Sequence, residues 1–316
     1  MASEAPPPPP IIIPTSVFQA AFGIESVYGN GPGTSIGVLG VAMSISDFKQ
    51  ANDFNPLYVL GSRAPQLFFS KGLVISETVK FVLAADNKNW LSLVLNESIT
   101  TTGSTTKSTT FTWTIPPLTG KLPSAYMSLE DENGYYYNAT GMVVNTASFS
   151  FNEGETCDVT LDVKGKIVNY SSTSIMSTTY ANGLVYPTEF TTWANVKVQY
   201  TGNEDGAGTA FSIQPIKALS FKIENEPELY RGLGSIDYVA FTPTKLTVSG
   251  SIEIFHDSEL IQDILTTAST QSSTNSFNLV ITIGSDYSKP YTITVEGLYW
   301  DDGSFELTPV DPVVDK

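Results

Sequence analysis

Val74-Ile75-Ser76-Glu77-Thr78-Val79-Lys80-Phe81 is the stretch on which the fold turns. It alternates as a strand does when one face is apolar and the other meets a wetter surface. The same kind of run returns 173 positions later as Thr247-Val248-Ser249-Gly250-Ser251-Ile252-Glu253-Ile254. At that offset Leu60-Gly61-Ser62 also falls on Leu233-Gly234-Ser235. Repeats of this length read as duplicated structural units.

Downstream of each run the features keep the same order. A short helical patch comes next: Trp90, Leu91, Val94 and Leu95 in the first half, Leu260, Ile261, Ile264 and Leu265 in the second. Asp86 or Asn87 precedes the first patch and Asp257 the second, residue types that accept the free N–H groups of a helix start. Each patch runs into a Ser/Thr-rich stretch, 100–110 and 266–276. A strand then opens with Phe111-Thr112-Trp113 or Phe277-Asn278-Leu279. Finally Gly141 and Ser148-Phe149 fall on Gly297 and Ser304-Phe305 at an offset of 156. Features repeated in one order, with offsets that shrink through small deletions, predict a tandem duplication.

The expected organisation is a Pro-rich arm at 1–14, one β domain at 15–168, and a connecting strand or linker at 169–184. A second β domain occupies 185–308, with a tail at 309–316. Each copy is expected to have five or six strands and one short helix, closed as a small sandwich or rolled barrel. Turns are marked by Gly29-Asn30-Gly31-Pro32-Gly33, Asn133-Gly134, Asp205-Gly206 and Asp302-Gly303.

Composition agrees with an all-β chain. Of 316 residues, 41% are hydrophobic and 11% aromatic, enough to build cores, and the mix leans towards Val, Ile, Thr, Phe, Tyr and Gly, the palette of pleated strands. With 32 acidic and 16 basic residues the net charge is -16, which argues against sequence-specific binding of a phosphate backbone. Solubility and colloidal repulsion are the favoured account of such a charge. The lone Cys157 excludes an intrachain disulfide framework and reads as a small core or surface residue. Neither a signal-peptide pattern nor a run of roughly 20 apolar residues is present, so a soluble chain without membrane insertion is expected.

Catalytic signatures are missing. The single histidine, His256, has no G-x-S-x-G nucleophile elbow to serve and cannot supply a zinc ligand set. Glu130-Asp131-Glu132 and Asp301-Asp302 flank glycine turns and read as turn decoration rather than as a glycosidase pair. Neither Glu130-Asp131-Glu132-Asn133-Gly134 nor Asn203-Glu204-Asp205-Gly206 matches an EF-hand calcium loop. The glycine loop at 29–33 is no nucleotide fingerprint. Asn96, Asn138 and Asn169 begin glycosylation sequons, as chance alone provides in so Ser/Thr-rich a chain. The expectation is a non-enzyme with no catalytic, metal or cofactor residues.

Three stretches carry a family resemblance: Phe22-Gly23-Ile24-Glu25-Ser26-Val27-Tyr28-Gly29, Leu60-Gly61-Ser62-Arg63-Ala64-Pro65, and Gly134-Tyr135-Tyr136-Tyr137 leading to Gly141 and on to Phe151. With the order of elements they make the chain similar to the major tail tube proteins of long-tailed bacterial and archaeal viruses. That fold is shared with the inner tubes of contractile injection systems. The resemblance implies two tandem rolled β-barrel or sandwich domains in a subunit that self-assembles into closed rings. Rings would stack into a hollow tube for genome passage, the tube wall being a continuous β-barrel without exposed edges. Three doubled chains would supply six domains, so a trimeric ring with pseudo-sixfold symmetry is expected.

The implied partners are further copies of the chain, the tape measure, terminator and baseplate or tip proteins, and DNA in transit. The implied location is the virion tail, assembled in the host cytoplasm. A negative lumen would let DNA slide, and Glu224, Glu226 and Glu228 are predicted to share one face of an extended run; alternatively most acids face outward. Two other readings fit the same residues. One is a pilus-like or decorating fibre protein whose Pro-rich arm donates a strand. The other is a carbohydrate-binding β-protein stacking sugars on Tyr135, Tyr136, Tyr137 and Trp300.

Overall fold

In the computed structural model of the chain the described residues are 17–30, 32–57, 67–87, 90–95, 100–102, 110–115, 122–131, 134–173, 189–201, 210–212, 216–233, 235, 237–254, 277–285 and 290–298. Among them lie eighteen strands and one short helix. The first part of the chain supplies β1 (Val17–Glu25), β2 (Pro32–Gly37), β3 (Val41–Leu57), β4 (Leu67–Val82), α1 (Leu91–Leu95), β5 (Thr100–Thr102), β6 (Thr110–Ile115), β7 (Ala125–Asp131), β8 (Tyr136–Asn152), β9 (Asp158–Gly165) and β10 (Ile167–Ser171). The second supplies β11 (Val196–Thr201), β12 (Ala210–Ser212), β13 (Ile216–Glu224), β14 (Pro227–Arg231), β15 (Tyr238–Pro243), β16 (Thr247–Ile254), β17 (Phe277–Ile283) and β18 (Tyr291–Leu298). The chain is all-β, as its composition predicts.

Most of the first part forms a ten-stranded sheet branched at β8. The first half of β8 pairs with β7 on one side and β10 on the other. Its second half pairs with β9 and with β13. One wing is therefore β2-β1-β7-β8-β10 and the other β3-β4-β9-β8-β13-β16. A second sheet runs β12-β11-β17-β18-β6-β5, with β6 parallel to β18, and β14-β15 is a separate hairpin. Both large sheets thus contain strands from both parts of the chain. β10 carries regular pairing to Ser171, so the stretch after 168 begins as a strand.

The branch depends on a bulge. Between Ala125↔Met142 and Met127↔Ala139 one extra residue is inserted on β8, and Gly141 there has φ +66°. A Cβ at Gly141 would lie 2.5 Å from the Lys166 Cβ, so only glycine fits both the angle and the space. The hairpin β17-β18 has the same insertion, between Phe277↔Leu298 and Leu279↔Val295, with Gly297 at φ +69°. Each of these glycines donates its N–H to a side-chain oxygen, Glu25 Oε1 at 2.9 Å or Asn278 Oδ1 at 3.0 Å.

Glu25 also accepts from the Gly29 N–H at 2.8 Å through Oε2, so one buried carboxylate ties the β1–β2 turn to the β8 bulge. Removing it strands two N–H donors. Glu25→Ala is expected to cost about 2 to 4 kcal/mol, and Glu25→Gln less, measured as a lower urea midpoint at unchanged m-value.

A second internal match lies in the long hairpins. Lys49↔Ser76, Gln50↔Ile75 and Ala51↔Val74 pair β3 with β4. Lys222↔Ser249, Ile223↔Val248 and Glu224↔Thr247 pair β13 with β16, each position 173 residues on.

Apolar positions from both parts converge in one core cluster, from Ala20 and Phe22 to Ile293 and Val295. Leu91, Leu93, Val94 and Leu95 of α1 are buried in it. Trp90 sits against Phe81 and Phe149, with ring centroids 5.1 and 5.8 Å away. The Asn87 side-chain amide donates to the Val38 carbonyl. The second helical patch expected at 260–265, the loop at 60–65 and both terminal segments lie outside the described residues.

Candidate functional site

On the wing β3-β4-β9-β8-β13-β16 the strand alternation separates two chemistries. Ile75, Val79 and Phe81 of β4, Val159, Leu161 and Val163 of β9, Phe149 and Phe151 of β8, and Leu219, Phe221 and Ile223 of β13 enter the core. The residues between them turn to the opposite face and are almost all hydroxylic or charged. They include Ser76, Thr78 and Lys80, then Thr160 and Asp162, then Thr146, Ser148 and Ser150, then Ser220, Lys222 and Glu224, and finally Ser249 and Ser251. The register sets them side by side: Ser148 lies between Thr160 and Lys222, and Ser150 between Asp158 and Ser220.

Charges on this face are paired across it. Lys80 Nζ is 2.8 Å from Asp158, Lys222 is 2.6 Å from Glu224, and Lys217 is 2.6 Å from Glu253. The bond from Lys80 to Asp158, and then the carboxylate charge, hold the ammonium above its ordinary pKa. Asp162 accepts from the Thr78 and Thr146 hydroxyls at 3.0 and 2.6 Å, and the Ser220 and Ser251 hydroxyls lie 2.8 Å apart. Among its described side chains this surface is hydrophilic and close to charge-balanced.

Among the described residues the wing ends in two strands that are paired on one side only. Among the described residues β3 pairs only with β4, and β16 only with β13. An unpaired edge is a template for another strand.

Candidates for chemistry are dispersed. Cys157 is fully buried, and burial first, then the Asp158 charge, pushes its thiol up to about 12, which leaves it inert. Glu130 lies within β7 opposite Gln19 and Tyr136 rather than in the turn. Asn138 is buried, accepting from Ser128 Oγ at 2.7 Å and donating to the Thr173 carbonyl at 2.8 Å, so its sequon is inaccessible. Tyr135 stacks on Tyr170 with centroids 5.1 Å apart, and Tyr137 is buried, so the three tyrosines are no open platform. His256, Trp300, Asn96, Asp301, Asp302 and 203–206 fall outside the described residues. Among the described residues no group of three or more His, Cys, Asp or Glu side chains is placed to hold a metal ion. No helix among them is long and apolar enough to cross a membrane.

The expectation for Glu224, Glu226 and Glu228 is corrected. β13 ends at Glu224 because Asn225 turns into the core, where its amide donates to the Val94 and Val144 carbonyls at 3.1 and 3.3 Å. Glu226 then takes φ +40°, and β14 starts afresh at Pro227. The three acids do not share a strand face; only Glu224 lies on the polar side of the wing. The hydroxyl row Thr146, Ser148, Ser150 is visible in the alternation of the sequence. Its continuation on β13, some seventy residues away, is not.

Among known proteins, no curated sequence matches the chain. Compared with protein families, residues 19–304 match the family described as phage tail tube protein. The match spans nearly the whole chain and agrees with the all-β architecture. The chain belongs to the phage tail tube proteins, a structural family of the virion tail whose members assemble into its tube.

Proposed function

We propose that the chain is a tandem duplication of one tube domain, with copies at 15–168 and 185–308 joined through 169–184. Three chains close into a ring with pseudo-sixfold symmetry, and rings stack into a hollow tube through which the genome passes. The observation that carries this reading is the pairing of β8 with β13, Phe149↔Phe221 at its centre. It extends the four strands β3-β4-β9-β8 of the first copy directly into β13-β16 of the second. The repeated glycine bulge and the repeated hairpin register support the duplication.

The polar face of this wing lines the lumen in the proposed tube. Its hydroxyls and paired charges offer DNA no row of free cations, so phosphate contacts stay weak and the duplex slides. Tape measure, terminator and baseplate or tip proteins complete the tail, which assembles in the host cytoplasm. Negative-stain microscopy of the purified protein is expected to show hollow rings or tubes. Native mass measurement of an isolated ring should give three chains. Solid filaments, or monomers persisting at high concentration, would contradict the tube; six chains per ring would contradict the trimer.

A further inference from the structure

The two long hairpins share one backbone plan, and one of them is broken midway. At the offset of 173, the pairs Phe54↔Ser70, Asn55↔Phe69, Pro56↔Phe68 and Leu57↔Leu67 of β3-β4 fall on Pro227↔Pro243, Glu228↔Thr242, Leu229↔Phe241 and Tyr230↔Ala240 of β14-β15. The separate hairpin β14-β15 is therefore the outer half of a hairpin whose stem is β13-β16. In β3-β4 the stem and the outer half run as one pair of strands, through Asn52↔Leu73 and Asp53↔Gly72. The corresponding rungs, Asn225 with Leu246 and Glu226 with Lys245, are absent from the second hairpin. Both hairpins have an asparagine followed by an acid at this point, Asn52-Asp53 and Asn225-Glu226, so residue type alone does not impose the break. The backbone turns at Glu226, whose φ of +40° is one that residues other than glycine seldom adopt. The Thr244 hydroxyl donates to the Glu226 carbonyl across the bend at 2.6 Å.

What holds the bent hairpin is a contact with the first part of the chain. Phe241 lies against Tyr28 of the β1–β2 turn with ring centroids 5.2 Å apart, and Lys166 Nζ stands 5.9 Å from the Tyr28 ring centroid. The Tyr28 hydroxyl is buried without a hydrogen-bond partner. The bent position thus carries a strained residue and an unsatisfied donor, which a straight hairpin would not have. We infer that β14-β15 is a hinged arm, folded back onto Tyr28 in the free subunit and swung about Glu226 into line with β13-β16 on ring closure. This rests on the duplicated ring read above, in which six domains at pseudo-sixfold positions present six equivalent arms. A subunit with one straight and one bent arm breaks that equivalence. Asn225 keeps its place through the swing, because the alternation that turns Ile223 into the core also turns Asn225 inward. The swing restores two backbone rungs and an ordinary φ and gives up the Tyr28 contact, so the arm has two discrete positions of opposed advantage.

The test uses the full-length protein with spin labels on Val27→Cys and Val239→Cys, both exposed and close in sequence to the Tyr28–Phe241 contact; Cys157 is buried and does not compete for label. The free subunit should show a short distance between labels. Isolated rings should show one longer by about 10 Å or more, since a strand of the length of β14 spans roughly 17 Å. Phe241→Ala should shift the free subunit towards the longer distance. Glu226 is exposed, so its variants should leave the circular dichroism spectrum unchanged. Glu226→Gly accepts the bend without strain and should slow ring formation at least about threefold, whereas Glu226→Val should speed it by a similar factor. A long distance already present in the free subunit, rings that keep the short one, or equal assembly rates for the two Glu226 variants would overturn the arm and leave the tube standing. Absence of rings in the unmodified protein would overturn the ring reading and the arm's role with it.

Discussion

Glu77→Gln is expected to stabilise the protein by about 4 to 5 kcal/mol at pH 9 and to change little at pH 5. Glu77 sits on the core face of β4 between Ile75 and Val79 and is 2% exposed. Among the described residues neither carboxyl oxygen has a hydrogen-bond partner. Burial raises its pKa from 4.5 to about 8. The folded state therefore keeps a proton that the unfolded chain releases. Below 4.5 both states are protonated and the group has no pH-dependent effect. Between 4.5 and about 8 stability falls as pH rises, because the unfolded state binds fewer protons than the folded one. Above about 8 the carboxylate is charged in the core and the full cost is present. Glutamine has nearly the same shape and cannot ionise, so its stability profile should be flat across that window. Urea titrations at pH 5, 7 and 9 measure this directly, and parallel profiles for the two proteins would show that Glu77 does not carry the pH dependence.

Phe149→Ala is expected to cost about 3 to 5 kcal/mol, the usual range for emptying an aromatic site in a packed core. The ring is 1% exposed and stacks on Phe221 with centroids 4.2 Å apart and planes 11° from parallel. Trp90 covers it from α1's end and Phe151 lies beside it along β8. Because Phe149↔Phe221 is also a register pair between β8 and β13, the loss should loosen that strand junction as well as the core. Lower yield of rings should accompany the lower urea midpoint. Phe149→Leu, which retains most of the volume, should cost markedly less and keep assembly. A midpoint shift worth under about 1 kcal/mol for the alanine variant would show that the junction does not depend on this ring.

The face assignments are legible in the sequence, since a strand's alternation states which residues share a side. Ile75, Val79 and Phe81 go inward and Ser76, Thr78 and Lys80 outward. Trp90, Leu91, Val94 and Leu95 enter the core as the spacing of the helical patch requires. Gly141 and Gly297, matched by a constant offset alone, share a left-handed bulge. The acidic run at 224–228 is not legible in the same way. One buried amide, Asn225, breaks it, and burial of a single asparagine leaves no periodic trace.

What the amino-acid sequence by itself determined was therefore local: the strands, their faces and the recurrence of like segments along the chain. Only the tertiary structure decided which edges meet. That β13 lies on β8, and that β6 runs parallel to β18, depends on backbone hydrogen bonds that are nearly indifferent to side-chain identity. Alternation tells a strand which way to face, whereas its neighbour is chosen by the packing of the whole chain around one core.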